Sequence, residues 1–182
     1  MATGSDDKTV RVFEAATGEE VSRLAHQSPV FAVAFSPDGR WVATGSDDKT
    51  VRVFEAATGK EVSRLAHQDT VNAVAFSPDG RWVATGSDDK TARVFEAATG
   101  KERSRLELNR PVRALWLSRD GRQLLTVSHA ASGLDLVLAS HLLRPEDLTH
   151  EACSRLTRNL TSEEWKQYLG GEPYRQTCPN LP

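Results

Sequence analysis

The feature that most constrains this chain is a segment of 17 residues that recurs at a fixed spacing. The letters ATGSDDKTVRVFEAATG fill residues 2–18 and 43–59, and residues 84–100 repeat them with Ala92 in place of a valine. The copies start 41 residues apart, and a fixed period of roughly 20 to 50 residues is typical of repeat architectures. We therefore expect a stack of copies of one structural unit.

The copies are nearly identical over their whole length, which indicates recent duplication. Residues 2–42 and 43–83 differ at four positions. These are Glu19/Lys60, Ser28/Asp69, Pro29/Thr70 and Phe31/Asn72. Three of the four differences fall within four residues of one another, so one short segment varies while the rest of the unit is constant.

Composition places the chain among folded proteins and excludes several kinds of partner. Of 182 residues, 26% are charged and 38% are hydrophobic, and the formal net charge is −2. The two signs are mixed along the chain, so no basic stripe predicts nucleic-acid binding. The sequence shows no signal-peptide pattern and no apolar run of membrane-spanning length, so we expect a cytoplasmic protein without a membrane partner.

The unit at residues 28–68 is predicted to hold four short strands. The segment 30–36 is apolar on both faces, which predicts a strand buried on both sides. Pro37, Asp38 and Gly39 then form a turn, since proline presets φ and glycine accepts a positive φ.

Three more segments complete the unit. Segments 40–46 and 50–55 are rich in residues that favour strands, and segment 60–65 alternates weakly, as an edge strand facing solvent would. Four antiparallel strands in 41 residues are typical of a β-propeller blade. A helical solenoid is disfavoured because no period of about 3.6 residues appears.

The segment SPDGRWVATGSDDKTVRVFEAATGKEV resembles the repeat of the WD-repeat β-propeller family, and the resemblance covers roughly residues 2–128. The sequence departs from the family pattern at two places. The family's Gly-His pair is Ala25-His26 and Ala66-His67, and its Trp-Asp pair is Phe54-Glu55 and Phe95-Glu96. The resemblance implies an all-β fold of about three and a half blades.

The resemblance also implies a buried hydrogen-bonded set in each blade. Its expected members are His26, Thr44 and Asp48 in one unit and His67, Thr85 and Asp89 in the next. Phe54 and Phe95 have no indole N–H to donate, so we expect the Thr hydroxyl to find another partner. A catalytic reading of the His, Asp and Thr is disfavoured, because the set recurs once per blade. Calcium at the Asp-Asp turns is disfavoured because one turn offers too few oxygens. We expect no metal and no cofactor.

The propeller is expected to span residues 1–141, with a degenerate last blade and an incomplete first one. Segments 112–118, 119–128 and 134–140 predict its last three strands. A closed ring needs about four or more blades, so two interpretations stay open. The chain is the C-terminal piece of a longer propeller, or several copies join as a homo-oligomer.

Residues 142–182 are predicted to form a helical cap. Pro145 begins one helix and Thr161 caps a second. The ending of the chain is similar to the tails of bacterial WD-repeat proteins, including some fused to signalling NTPase or other effector domains, so the resemblance implies an upstream effector domain. Cys153 and Cys178 are the two cysteines, and without a secretion signal we expect two reduced thiols.

The varying segment is the candidate binding surface. In this fold it leads into the innermost strand, on one rim of the ring. Exposed aromatic and arginine side chains on a rigid rim are good anchors for a protein or peptide partner. Neutral drift is the alternative. The segment comprises Ser28, Pro29 and Phe31 in one unit, Asp69, Thr70 and Asn72 in the next, and Arg110, Pro111 and Arg113 in the last.

The sequence therefore predicts a non-catalytic interaction or ligand-sensing scaffold, part of a larger signalling protein. Two other functions stay open: a structural ring without a dedicated ligand, and a propeller hydrolase. A hydrolase needs acid, base or metal groups converging at one site, and the repeats offer only copies of a structural set.

Overall fold

The computed structural model of the protein describes residues 1–129 and 136–143, together with Cys153, Ser154, Asn159, residues 161–163 and Cys178. The chain divides into two compact units, Met1–His141 and Leu142–Pro182. The strands of the described part are β1 (Ala2–Gly4), β2 (Thr9–Phe13), β3 (Glu20–Ala25), β4 (Val30–Phe35), β5 (Trp41–Ser46), β6 (Thr50–Glu55), β7 (Glu61–Ala66), β8 (Val71–Phe76), β9 (Trp82–Ser87), β10 (Thr91–Glu96), β11 (Glu102–Glu107), β12 (Ala114–Leu117), β13 (Gln123–His129) and β14 (Leu136–Leu142).

These strands form four antiparallel sheets, and within each sheet the strands that are adjacent in sequence pair with each other. The two central sheets have four strands each, in the orders β4-β5-β6-β7 and β8-β9-β10-β11. The first sheet is β1-β2-β3 and the last is β12-β13-β14. The prediction of an all-β fold with four-stranded blades is confirmed. We call the contacts between successive sheets the first, second and third junctions.

The turn after β4 shows why the unit folds as a hairpin. Gly39 has φ of 71°, as its place in the turn requires. The Ser36 hydroxyl donates to Asp38 Oδ1 at 2.6 Å and accepts the Trp41 N–H at 2.9 Å. Asp38 Oδ1 also accepts the Arg40 N–H at 3.1 Å. Short polar side chains thus bind the backbone of the turn and fix the register of the hairpin.

The hydrophobic core lies between the sheets. At the first junction Phe54 is fully buried against Val10 and Val12 of the first sheet. At the second junction Phe95 is buried in the same way with Val51 and Val53. Each phenylalanine therefore packs on the valines of the preceding sheet, and the stack depends on neighbouring units.

A valine of the next sheet packs directly against the glycine of the repeated segment, which explains why this residue has no side chain. A Cβ on Gly45 would lie 2.7 Å from Val71 Cγ1 of the next sheet. Side chains join the sheets farther out as well, since the Ser63 hydroxyl donates to the Ala97 carbonyl at 2.6 Å.

The prediction that the strand at residues 30–36 is buried on both faces is wrong. Phe31 and Phe35 of β4 are 54% and 37% exposed, whereas β5 is almost wholly buried. The physical reason is that β4 faces a preceding sheet of three strands, whereas β8, which is buried or half-buried throughout, faces one of four.

The helical C-terminal cap is not supported. Residues 153–154 and 162–163 are helical, but the rest of both predicted helices lies outside the described residues.

The expectation of two reduced thiols is also wrong, because Cys153 and Cys178 form a disulfide with their Cα atoms 5.4 Å apart. The expectation rested on cellular compartment, whereas pairing requires proximity. Asn159 supports this link: its side-chain amide donates to the Cys178 carbonyl at 2.9 Å and accepts the Cys178 N–H at 3.0 Å.

Candidate functional site

At the first and second junctions, a buried histidine connects one sheet to the next. His26 follows β3 of the first sheet, and its ring is bound by two residues of the second sheet. Nδ1 lies 2.8 Å from Asp48 Oδ2, and Nε2 lies 2.8 Å from Thr44 Oγ1. The structure therefore brings His26, Thr44 and Asp48 together.

The next unit repeats this geometry. His67 Nδ1 lies 2.9 Å from Asp89 Oδ2, and Nε2 lies 2.8 Å from Thr85 Oγ1. The two His side chains are 0% exposed.

The protonation state of the ring follows from its neighbours. Burial lowers the pKa of His26, although Asp48 opposes that effect. Because the Asp48 carboxylate only accepts, Nδ1 of the neutral ring carries the proton and Nε2 accepts from the Thr44 hydroxyl. The Arg52 carbonyl lies 3.3 Å from the same hydroxyl and competes for its one proton, so it does not replace the N–H that an indole would donate.

The carboxylates are held ionised despite their burial. Desolvation raises the pKa of Asp48, but hydrogen bonds from Thr50, the Gln27 N–H and His26 outweigh it. The pKa of Asp89 is held far below its usual range for the same reasons. Each set is therefore a neutral imidazole bound to a fixed negative charge.

A buried arginine completes each set, and sequence reasoning missed it. Arg93 Nη1 donates to the Ala66 carbonyl at 3.0 Å, and Nη2 lies 3.0 Å from Asp89 Oδ2. Arg52 binds the Ala25 carbonyl and Asp48 in the same way. The guanidinium groups thus bind the end of the strand before each histidine to the turn that holds the histidine.

A sequence signal for this arginine exists. Arg52 stands between Val51 and Val53 on a strand, with Asp48 four residues earlier, an i, i+4 pair that the strand and turn bring together. A charged residue flanked by core valines needs partners when buried.

The outer sheets vary this set. In the first sheet Arg11 still pairs with Asp7, but both side chains are more than a third exposed. In the last sheet Leu108 stands where His67 stood, and the imidazole at the corresponding hydroxyl comes from β14. His141 Nε2 lies 3.0 Å from Thr126 Oγ1.

The sets are built for holding strands together. The polar atoms of each His, Thr and Asp form hydrogen bonds with one another, with the arginine or with the backbone.

Among the described residues, no three His, Cys, Asp or Glu side chains could hold a metal ion. No helix in the described part is long and apolar enough to span a membrane.

The varied rim residues bind neighbouring sheets at the second and third junctions. At the second junction the Thr70 hydroxyl donates to Asp47 Oδ1 at 2.6 Å. Asp69, next to it, accepts the Thr70 N–H.

At the third junction Asp88 is the centre of a similar contact. Arg113 Nη1 lies 2.8 Å from Asp88 Oδ1, and Asn72 Nδ2 donates to the same oxygen at 2.7 Å. Arg110 Nη1 donates to the His129 carbonyl at 3.3 Å, and Pro111, beside it, is half-buried. Arg113 therefore joins the fourth sheet to the third, whereas Arg110 binds within its own unit.

The first junction differs from the other two. Here the corresponding residues are Ser28 and Pro29, both half-buried, and Phe31, which is 54% exposed. The Ser28 and Pro29 carbonyls accept from the Ser46 hydroxyl. The Phe31 ring makes no polar contact with the preceding sheet, so this junction leaves a large apolar side chain in solvent.

Comparison with known families agrees with the repeat. The family model described as "WD domain, G-beta repeat" matches residues 18–55 and 59–96. Each match begins with the outer strand of one sheet and continues through the inner three strands of the next. No curated protein matches the chain. Residues 18–55 and 59–96 are thus similar to WD repeats, which are generally non-catalytic scaffolds for protein–protein interaction.

Proposed function

We propose that this protein is a non-catalytic interaction scaffold that binds a protein or peptide partner through its varied rim. The observation that carries the proposal is the exposure of Phe31, 54% of which faces solvent at the entry to β4. Exposed aromatic side chains on a rigid frame are frequent anchors of binding.

The frame around Phe31 is well fixed. Val30, its neighbour in the chain, is 5% exposed in the core of the first junction. Two backbone bonds hold the segment: the Val30 N–H donates to the Ser5 carbonyl at 3.1 Å, and the Asp47 N–H donates to the Pro29 carbonyl at 3.0 Å. A ligand therefore meets a preorganised surface, which limits the entropy lost on binding.

The same reasoning argues against a catalytic role. The His-Asp-Thr sets recur in two sheets with the same partners and are buried, so neither is a unique site open to substrate. Loss of a hydrolytic activity on replacing His26 or His67, with folding intact, would contradict this part of the proposal.

The wider setting is part of the proposal. The similarity of the tail to bacterial WD-repeat proteins supports a place in a larger signalling protein, with an effector domain upstream and the whole in the cytoplasm. Mass spectrometry of the native protein in separated cell fractions tests both parts of this proposal. The mass shows whether an effector domain is fused to the chain, and the fraction shows whether the protein is cytoplasmic.

Self-assembly is the second candidate. Leu136 and Leu138 are 66% and 64% exposed on β14, an edge strand of the last sheet. Exposed apolar edge strands favour pairing with another chain. Light scattering over a concentration series decides: a discrete oligomer supports this candidate, and a monomer contradicts it.

The rim proposal is tested by selecting ligands for the chain itself. Peptides are selected from a random display library on the immobilised 182-residue protein and then measured against two variants. Phe31→Ala removes the exposed ring at the rim end of β4, and Phe35→Ala removes a matched ring, 37% exposed, at the other end of the same strand.

Selected peptides should lose about tenfold or more in affinity for Phe31→Ala. They should bind Phe35→Ala as they bind the unaltered protein. If no peptide is enriched, or if both variants bind equally well, the rim is not the binding surface.

A further inference from the structure

The unpaired carboxylate at the first junction indicates what kind of partner the rim accepts. Each repeat carries two adjacent aspartates in the turn after its β5-type strand, and the first of each pair lies on the rim. These residues are Asp6, Asp47 and Asp88. At the second and third junctions, side chains of the following sheet bind the carboxylates of Asp47 and Asp88. At the first junction, no side chain of the following sheet binds the Asp6 carboxylate.

The third junction shows which side chain fits this position. Arg113 of the fourth sheet pairs with Asp88 of the third at 2.8 Å. Phe31 and Asp6 hold the corresponding positions at the first junction. An equivalent backbone hydrogen bond lies beside each of these two pairs. The Val112 N–H donates to the Ser87 carbonyl at 3.0 Å, and the Val30 N–H donates to the Ser5 carbonyl at 3.1 Å.

Asp6 has no partner among the residues that the structure describes. No described residue forms a hydrogen bond or an ion pair with its carboxylate, and the residue is exposed. Its neighbour Asp7 is different, because Thr9 and Arg11 bind the Asp7 carboxylate. Lys8, the nearest cation in sequence, also forms no ion pair with a described residue. One carboxylate of the pair is therefore free for a ligand.

Phe31 adds a second element of recognition. A planar guanidinium stacks on an aromatic ring while its N–H groups bind a carboxylate, and the stem of arginine covers apolar surface. A lysine gives a weaker fit, because its ammonium is compact and more strongly hydrated. The pair of a free carboxylate and an exposed ring thus favours arginine.

We propose that the first junction binds an arginine side chain of a partner peptide, with the guanidinium paired to Asp6 and stacked on Phe31. This inference rests on the proposed function, and it specifies the chemistry of the partner. The ligand takes the place that Arg113 takes at the third junction.

The probe is a blocked hexapeptide with one central arginine, and its control is the same peptide with citrulline, which keeps the shape and removes the charge. Both are titrated into the full chain labelled with ¹⁵N, and backbone amide shifts are followed by NMR. The arginine peptide should shift the Asp6 and Phe31 amides saturably, with an affinity on the order of millimolar for so short a ligand. The citrulline peptide should bind about tenfold more weakly.

Three variants locate the site. Asp6→Asn removes the charge and should weaken the arginine peptide to the level of the citrulline peptide. Phe31→Arg supplies an internal guanidinium, as Arg113 does at the third junction, and should abolish binding. Phe35→Ala is the matched control and should bind normally. Amide spectra that match those of the unaltered chain outside the site show that each variant is folded.

Each outcome bears on one of the two proposals. Equal binding of the arginine and citrulline peptides, or unchanged binding to Asp6→Asn, overturns the arginine inference. If library-selected peptides lacking arginine depend on Phe31 and ignore Asp6, the rim proposal stands and the arginine inference fails. If shifts map to the β14 edge in a concentration-dependent way without peptide, the surface in use is a contact between copies, and both proposals fail.

Discussion

Arg93 Nη2 lies 3.0 Å from Asp89 Oδ2, and both side chains are 5% exposed. Arg11 and Asp7 form the equivalent pair in the first sheet at 2.9 Å, but their side chains are 36% and 47% exposed. The same two residue types therefore form a buried pair in one sheet and a surface pair in another. The difference comes from the preceding sheet, whose Ala66 carbonyl and His67 ring cover the Arg93 pair.

Arg93→Ala is expected to destabilise the protein strongly. The substitution leaves the Asp89 carboxylate buried with one partner fewer, and the Ala66 carbonyl loses its hydrogen bond from Arg93. Removing one member of a buried pair costs about 3 kcal/mol in the free energy of unfolding. Urea unfolding followed by circular dichroism measures this change.

Arg11→Ala is the matched control for this experiment. Because the Arg11 pair is exposed to solvent, its loss should cost less than about 1 kcal/mol. Equal costs for the two substitutions would show that burial does not set the strength of these pairs.

Stability should fall on acidification in two steps. Burial lowers the pKa of His26 and His67 below 6.5, so the unfolded chain binds more protons than the folded one just below that pH. Their contribution is complete above pH 6.5 and declines as the pH falls below it. The Asp48 and Asp89 carboxylates have pKa values lowered from 3.8, so their contribution is lost below about pH 4.

Urea midpoints measured between pH 8 and pH 3 test this dependence. His67→Gln should flatten the first decline, because glutamine does not titrate. A urea midpoint that stays constant or rises as the pH is lowered from 7.5 to 5.5 would contradict a neutral buried histidine.

The Asp88–Arg113 contact should couple the third sheet to the fourth only weakly. The side chains are partly exposed, and such pairs contribute about 0.5 kcal/mol. A double-mutant cycle with Asp88→Ala and Arg113→Ala measures the coupling, and 1 M salt should remove most of it. A coupling that salt leaves unchanged would mean that the contact is packed rather than electrostatic.

The disulfide should stabilise the unit Leu142–Pro182. Cys153 and Cys178 are 25 residues apart, and a bond closing a loop of that length is worth about 3 kcal/mol in the chain-entropy model. Cys153→Ser and Cys178→Ser should both speed proteolysis of this unit, and to the same extent, since either removes the same bond. Free thiols in the unreduced, denatured protein would contradict the pairing.

The repeat made much of the fold predictable from the sequence. Periodicity, the Pro37-Asp38-Gly39 turn and the alternation of small and branched residues define the strands, because these signals are local. The His26, Thr44 and Asp48 contacts were within reach through the resemblance to a known repeat. These features depend on the order of residues within one unit.

The features that sequence reasoning missed depend on contacts between units. Burial of Arg52 requires the preceding sheet, and exposure of Phe35 requires knowing how many strands of that sheet face β4. His141 binds Thr126 across a sheet whose sequence no longer matches the repeat. Pairing of Cys153 with Cys178 depends on proximity in space, which composition does not reveal.

Hydrogen–deuterium exchange with and without a selected peptide shows where the ligand lies on the chain. We expect slower exchange at residues 5–8 and 28–31, which form the rim of the first junction, and unchanged exchange at the other end of β4. Protection confined to other segments, or none at a saturating peptide concentration, would contradict a binding site on this rim.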